Sequence, residues 1–229
     1  MSGVTNPLKN KYLVRGAWCV VVLAAACAGH RADQTAGPKP TAPLPTATLA
    51  GQQVSLFPLT LLAAEDSLHW EAQLADRHAT LGRADSIIGA LIKARAPEVT
   101  WVLPEELRRA ARRAPSVATD PDQMGTALLR VENVEIVPDP LRSQLRTLAA
   151  IAGGRYALIP AALLYRRTVG RSDSGTVHPT SPVATAELSV VMVDVRLGRV
   201  GWRTVARGGG DDPWSALTRA VKNLTPGLP

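Results

Sequence analysis

Between residues 155 and 207 three apolar runs follow one another, and together they demand a sheet. RYALIPAALLYRR is long enough for one central strand, TAELSVVMVDV brings Val190, Val191 and Val193 to a second, and VGWRTVARG reads as a third, returning strand. β-Branched and large apolar side chains gather in such runs because they fit a pleated, buried surface. Pro160 has no N–H to give a neighbour, so the first run must bulge or leave that side unpaired. The turn-rich loop GRSDSGTVHPTSP joins the first two strands. Leu197-Gly198-Arg199 fits a tight hairpin between the second and third, with Gly198 at a position that needs positive φ and Asp194 placed to hold the turn through its carboxylate.

A sheet this apolar needs helices over it. Residues 67–96 carry Trp70, Leu74, Leu81, Ile88, Leu91 and Ile92 at helical spacing. Gly82 is expected to divide this stretch, with Asp85 starting the second piece and Pro97 ending it. A helix opens at Pro104, another carries Leu141, Leu145, Leu148 and Ala152 and stops at Gly153-Gly154, and a last one is capped by Asp212 with Pro213 at its first position. QQVSLFPLTLL and PEVTWVL read as two further strands. Residues 116–140 suggest a short helix over 124–130 and a strand at 134–137. Gly208-Gly209-Gly210 reads as a flexible connector, and Trp202 as filling between sheet and helix. The expected fold is α+β, a mixed sheet of about five strands with helices packed on it, occupying residues 53–229 as a single domain.

The first 52 residues have another character. MSGVTNPLKNKYLVRG holds Lys9, Lys11 and Arg15 with no acid, and from Gly16 to Gly29 there is no charge. That apolar run is too short to span a bilayer, which takes roughly twenty residues, and reads as the h-region of a signal peptide over residues 1–26. Leu23-Ala24-Ala25-Ala26-Cys27 resembles the bacterial lipobox, with Ala24 where a leucine is usual. The resemblance implies that Cys27 is acylated and becomes the amino terminus; an ordinary secretory signal that contains a cysteine is the competing reading. Ala28 in place of aspartate implies the outer membrane, facing the periplasm. Residues 27–52 then form a tether, since Pro38, Pro40, Pro43 and Pro45 favour extended, solvated chain. Beyond Cys19, inside the h-region, and Cys27, the chain has no cysteine, so neither a disulfide nor a thiolate metal site is expected in the domain.

The formal charge of +7 falls to +4 once Lys9, Lys11 and Arg15 leave with the signal. With a single phenylalanine and dispersed cations, nucleic acid is not an expected partner. In PEELRRAARR the acids stand at the positive end of the helix and the arginines toward the negative end. Arg108, Arg109, Arg112 and Arg113 therefore read as a solvated face, with a partner-binding patch as the alternative. No G-x-S-x-G, H-E-x-x-H or phosphate loop occurs. Ser172, Asp173, Ser174 and His178 share one loop, and His30, His69 and His78 lie far apart in the sequence. No catalytic residue, metal ligand or cofactor is expected.

Three local texts occur in a telling order: Val54-Ser55-Leu56-Phe57-Pro58, the helix-turn-strand from Leu148 to Ile159, and the hairpin from Leu188 to Trp202 with Asp194, Gly198 and Trp202. In that order they resemble the TolB amino-terminal-like and CsgG-like family of bacterial envelope proteins. Pro160 departs from the glycine frequent there. The resemblance implies a lipid-anchored or periplasmic interaction domain that is not a catalyst; with the lipobox and tether, the expected role is a protein anchored in the membrane through Cys27 that docks an unidentified envelope protein serving transport, cell-wall synthesis or secretion. Two alternatives stand beside it: a self-assembling secretion pore of the CsgG type, which would make the chain a homo-oligomer, and a small envelope hydrolase using the 172–178 loop.

Overall fold

The computed structural model describes residues 44–168 and 183–224. In chain order these form α1 (Thr46–Leu49), β1 (Gln53–Leu56), β2 (Leu62–Ala64), α2 (Glu71–Leu74), α3 (Arg77–Arg95), β3 (Thr100–Val102), α4 (Pro104–Arg113), α5 (Leu141–Ala152), β4 (Tyr156–Arg167), β5 (Ala184–Asp194), β6 (Arg199–Gly210) and α6 (Pro213–Leu224). Short 3-10 turns lie at Asp66–Leu68, Pro121–Gln123 and Thr126–Arg130. The sheet is mixed and runs β3-β1-β4-β5-β6, with β2 also on β4; it has six strands where the sequence suggested about five. β1 and β2 are parallel to β4 and lie one after the other along its length, whereas β4, β5 and β6 form an antiparallel meander.

Both faces of the sheet are covered, which is why its long strands read as nearly unbroken apolar runs. On one face α3 and α6 bury Ala84, Ile88, Ile92, Leu217, Val221 and Leu224 against Leu158, Leu188 and Ala206. On the other, α4 and α5 bury Leu107, Leu145 and Leu148 against Phe57, Ile159 and Val193. The bulge expected at Pro160 is present, as a register shift between Pro160 and Ala162. It reverses the phase of the strand: Leu158 faces α3 and α6 before it, and the odd-numbered Leu163 and Tyr165 do so after it. One extra residue thus lets β4 present apolar side chains to both clusters from Ala157 to Tyr165.

Local signals set the hairpin and the last helix as expected. Gly198 has φ +69°, and Asp194 Oδ1 accepts the Leu197 N–H at 3.0 Å. Asp212 Oδ1 accepts the N–H groups of Trp214 and Ser215, at 2.9 and 3.0 Å. Trp202 packs half-buried beside the α6 cluster.

Several expectations are corrected. Helix α3 runs unbroken through Gly82; the break falls at Asp76, whose carboxylate caps the helix by accepting the Ala79 N–H at 3.0 Å. The cost of one glycine, about 1 kcal/mol, is small beside the apolar face that the helix buries. Within 124–130, where a short helix was expected, only Thr126–Arg130 is helical, and as a 3-10 turn. Residues 134–137 make no strand and only a bridge, Ile136 to Arg199, with Val137 N–H donating to Gly198 O at 2.9 Å. The glycine triplet is no connector but the end of β6, lying directly under α6. Residues 44–52, assigned to the tether from composition, pack on the domain: Leu44 and Leu49 are buried, and Leu44 N–H donates to Leu224 O at 2.9 Å. Among the described residues no helix is long and apolar enough to cross a membrane.

Candidate functional site

β1 and β3 run parallel, so the chain leaves both at the same end of the sheet, through Leu59 and Thr60 after one and Leu103 and Pro104 after the other. Helices α3 and α4 serve opposite faces, and they diverge there around an open groove of about 1500 Å³. Open sheets with parallel strands hold ligands outside such carboxyl ends, because the connecting segments separate there and leave main-chain groups to face an occupant.

Asp85 stands at the floor of this groove. It projects from α3 and is 4 % exposed. Its Oδ1 accepts the Leu59 N–H at 2.8 Å, and its Oδ2 accepts from Arg108 Nη2 on α4 at 2.5 Å. The same guanidinium also grips Asp122 in the Pro121–Gln123 turn through Nε at 2.8 Å and Nη2 at 2.7 Å. One arginine thereby joins two helices and a turn, and Asp85 ties them to the loop after β1. Forked contacts of this kind are strong because both donors are geometrically matched to the carboxylate. Removing one partner of such a buried pair costs about 3–5 kcal/mol, since a charge is left without compensation.

Burial pushes the Asp85 carboxyl up to about 6, against the opposing pull of the Leu59 amide and Arg108. Arg108 is raised in turn by its hydrogen bond to Asp122, which outweighs its own burial. A buried acid with a raised pKa beside a groove has the profile of a functional group. Its geometry favours another role, because both carboxylate oxygens are already engaged by groups of the fold itself. A general base must reach a substrate proton. The cluster instead fixes the spacing of α3 and α4, and so the width of the groove. Along the groove, Thr60 and Thr126 share a hydroxyl contact at 2.8 Å, and Arg77 Nη2 donates to Thr60 O at 2.7 Å. Exposed Lys93 and Arg112 supply positive charge at the rim, and Glu105 and Asp120 supply negative charge.

The structure divides the four arginines of α4. Arg108 turns inward to Asp85 and Asp122, Arg112 reaches Glu105 at 3.1 Å in an exposed pair, and Arg109 and Arg113 are exposed. Arg108 and Arg112, four residues apart, share a side of the helix and both line the groove, whereas Arg109 and Arg113 lie on another side. His78 lines the groove, and His69 ends the first 3-10 turn at φ +54°. Cys27, His30 and the 172–178 loop lie outside the described residues. Among the described residues no three His, Cys, Asp or Glu side chains converge on a metal-sized site. Asp85 and Asp122 were not singled out from sequence as site residues. For Asp85 a signal exists: it is a carboxylate inside an apolar stripe, four residues after Leu81 and three before Ile88.

No protein-family model matches the chain, and no curated protein matches it. Among solved structures it is similar to the LpoB C-terminal domain from Salmonella enterica, at 15% identity over 70% of this chain and 84% of that one, with a TM-score of 0.35. It is also similar to the PelC dodecamer from Paraburkholderia phytofirmans, at 14% identity over 76% and 86%, with a TM-score of 0.34. A third is the lipoprotein GNA1162 from Neisseria meningitidis, at 14% identity over 69% and 80%, with a TM-score of 0.33.

Proposed function

We propose that this chain is a lipid-anchored accessory protein of the bacterial cell envelope, facing the periplasm from the outer membrane, and that it works by docking a component of an envelope machine, not by catalysis. The observation that carries this is Cys27. It follows a basic segment, a short apolar run and three alanines, and it precedes a proline-rich stretch leading into a folded domain. Two or more acyl chains on one cysteine hold a protein at a bilayer, where a single chain would not. The likeness of three ordered sequence texts to the TolB amino-terminal-like and CsgG-like family supports the same reading. So does the site: the acid and base at the floor of the groove are spent on holding the helices, which leaves the groove itself as a surface for contact.

The test has two parts. Mass spectrometry of membrane-fraction protein should find Cys27 as an acylated amino terminus, and Cys27→Ser should move the protein out of that fraction. Crosslinking in cells should capture a defined envelope protein, and Ala90→Arg, which fills the groove from an exposed helical position, should abolish that capture with the fold intact. An unmodified Cys27 thiol on soluble protein would end the anchor reading, and capture indifferent to Ala90→Arg would move docking away from the groove.

A further inference from the structure

The opposite end of the sheet has a different chemistry. There β1, β3 and β4 begin, β5 ends at Asp194 and the hairpin turns into β6 at Arg199. Helix α6 finishes at the same end, where Leu224 O accepts the N–H of Leu44. Helix α5 lies beside it: from its middle Arg146 donates to Val195 O and Arg196 O, at 3.3 and 3.1 Å, and at its last residue Ala152 O accepts from Gln53 Nε2 at 3.1 Å.

This end presents Ile136, Ile151 and Leu197 to solvent, at 59, 39 and 58 % exposure, and interleaves them with exposed Arg146, Arg196 and Arg199. Arg142 is paired with Asp139, and Arg155 with Asp194 at 2.7 Å. Among the described residues the other three arginines have no carboxylate partner, and Glu135, whose carbonyl accepts the Val200 N–H, is an acid beside the turn. Arginine is enriched in protein interfaces too, but here three arginines stand without a carboxylate, and such cations beside exposed apolar side chains suit a headgroup layer, where cations meet phosphate and short apolar side chains enter the acyl boundary.

We propose that this end of the domain rests on a membrane of anionic phospholipid. Leu44, seventeen positions after Cys27, lies at this same end. Seventeen residues reach at most about 60 Å when fully extended, so an anchor at Cys27 keeps this end within range of the bilayer. That placement rests on the lipid-anchor reading; the affinity of the surface for lipid does not.

The experiment therefore uses the full chain carrying Cys27→Ser, so that no acyl chain contributes, with and without Arg146→Glu, Arg196→Glu and Arg199→Glu. Flotation with phosphatidylglycerol vesicles, in low and in physiological salt, is compared at equal thermal stability of the two proteins. The triple variant is expected to bind at least about tenfold more weakly, with a smaller loss on adding salt, and Ile136→Ser with Leu197→Ser is expected to weaken binding in both salts. Binding unchanged by the three charge reversals overturns the proposal. So does a triple variant that keeps its vesicle binding and loses capture of an envelope protein, which would make this a protein-docking end. Acylation at Cys27 is read separately by mass spectrometry, so the anchor and the surface can fail independently.

Discussion

Gly208 lies so close beneath Ala220 that a Cβ on the glycine would stand 2.1 Å from the Ala220 nitrogen. Gly210 is in the same position toward Ala216, whose nitrogen would be 2.4 Å away. The two glycines sit on the face of β6 that carries α6, and their missing side chains let the helix backbone rest directly on the strand. Leu217, Val221 and Leu224 then reach the shared core.

Gly208→Ala should therefore destabilise the domain by about 1–3 kcal/mol, the usual range for overpacking, because the atoms it meets are backbone and cannot swing aside. Gly82→Ala is the matched control. Nothing lies within 4 Å of its Cβ position, and it occupies a helix interior, so the change should stabilise by about 0.5–1 kcal/mol. Denaturation midpoints of the two variants should move in opposite directions. A Gly208→Ala midpoint equal to that of the parent would contradict this packing of α6.

Asp85 gives the fold a pH response opposite to that of an ordinary paired carboxylate. Its folded pKa of about 6 lies above the usual 3.8, so the native state holds the proton more tightly than the unfolded chain. The stability linked to that proton is complete below about pH 4 and is lost as pH rises through 6. A gap of about two pH units corresponds to about 3 kcal/mol. Asp139, Asp194 and Asp212 are held below 3.8, so their contribution fades only as pH falls into the acid range. Comparison of the parent with Asp85→Asn between pH 4.5 and 7.5 isolates the Asp85 contribution. Denaturant titrations at those two values should show the parent losing stability relative to Asp85→Asn as pH rises; identical pH slopes for both proteins would refute the assignment.

The hairpin turn offers a separate check. Asp194 Oδ1 holds the Leu197 N–H, and its Oδ2 takes Arg155 Nε at 2.9 Å and Nη2 at 2.7 Å. Asp194→Ala leaves that amide and the guanidinium to water, which should cost about 1–2 kcal/mol. Gly198→Ala should cost a similar amount, because φ +69° crowds a Cβ against the carbonyl oxygen. Arg155→Ala should cost less, since this arginine is half exposed and exposed pairs contribute little. If Arg155→Ala proved the most damaging of the three, the ion pair and not the turn would be what Asp194 serves.

Features whose cause is local could be read from the sequence. Asp194 and Gly198 lie four residues apart in one turn, Asp212 caps the helix it precedes, and Pro160 requires a bulge or an unpaired side wherever β4 is placed. What escaped reading was set by segments distant in the chain. The same three glycines that look like a hinge become a packing surface only once α6 folds back over β6. Arg108 stands in a run of near-identical text with Arg109, Arg112 and Arg113, and only the approach of α3 decides which of them turns inward. The groove is of the same kind, since its floor joins Leu59, Asp85, Arg108 and Asp122 from four separate segments. The carboxylate between Leu81 and Ile88 was its one visible trace.

The start of the domain is another feature that composition misplaced, and it leads to the last prediction. Proline and threonine around residue 45 read as tether, yet α1 buries Leu49, and Gly51 N–H donates to Glu98 O at 2.9 Å just before β3. Leu44 and Leu49 join the cluster that α3 and α6 build, so they close the end of the core instead of leading up to it. Leu49→Ala should then cost about 2–5 kcal/mol, as for other fully buried leucines, whereas Thr48→Ala, one residue earlier and exposed, should cost well under 1 kcal/mol. Removing residues 1–52 should lower the thermal midpoint well below that of a chain lacking only residues 1–39. Equal midpoints for the two truncations would show that residues 40–52 add nothing to the core and that the domain begins at β1.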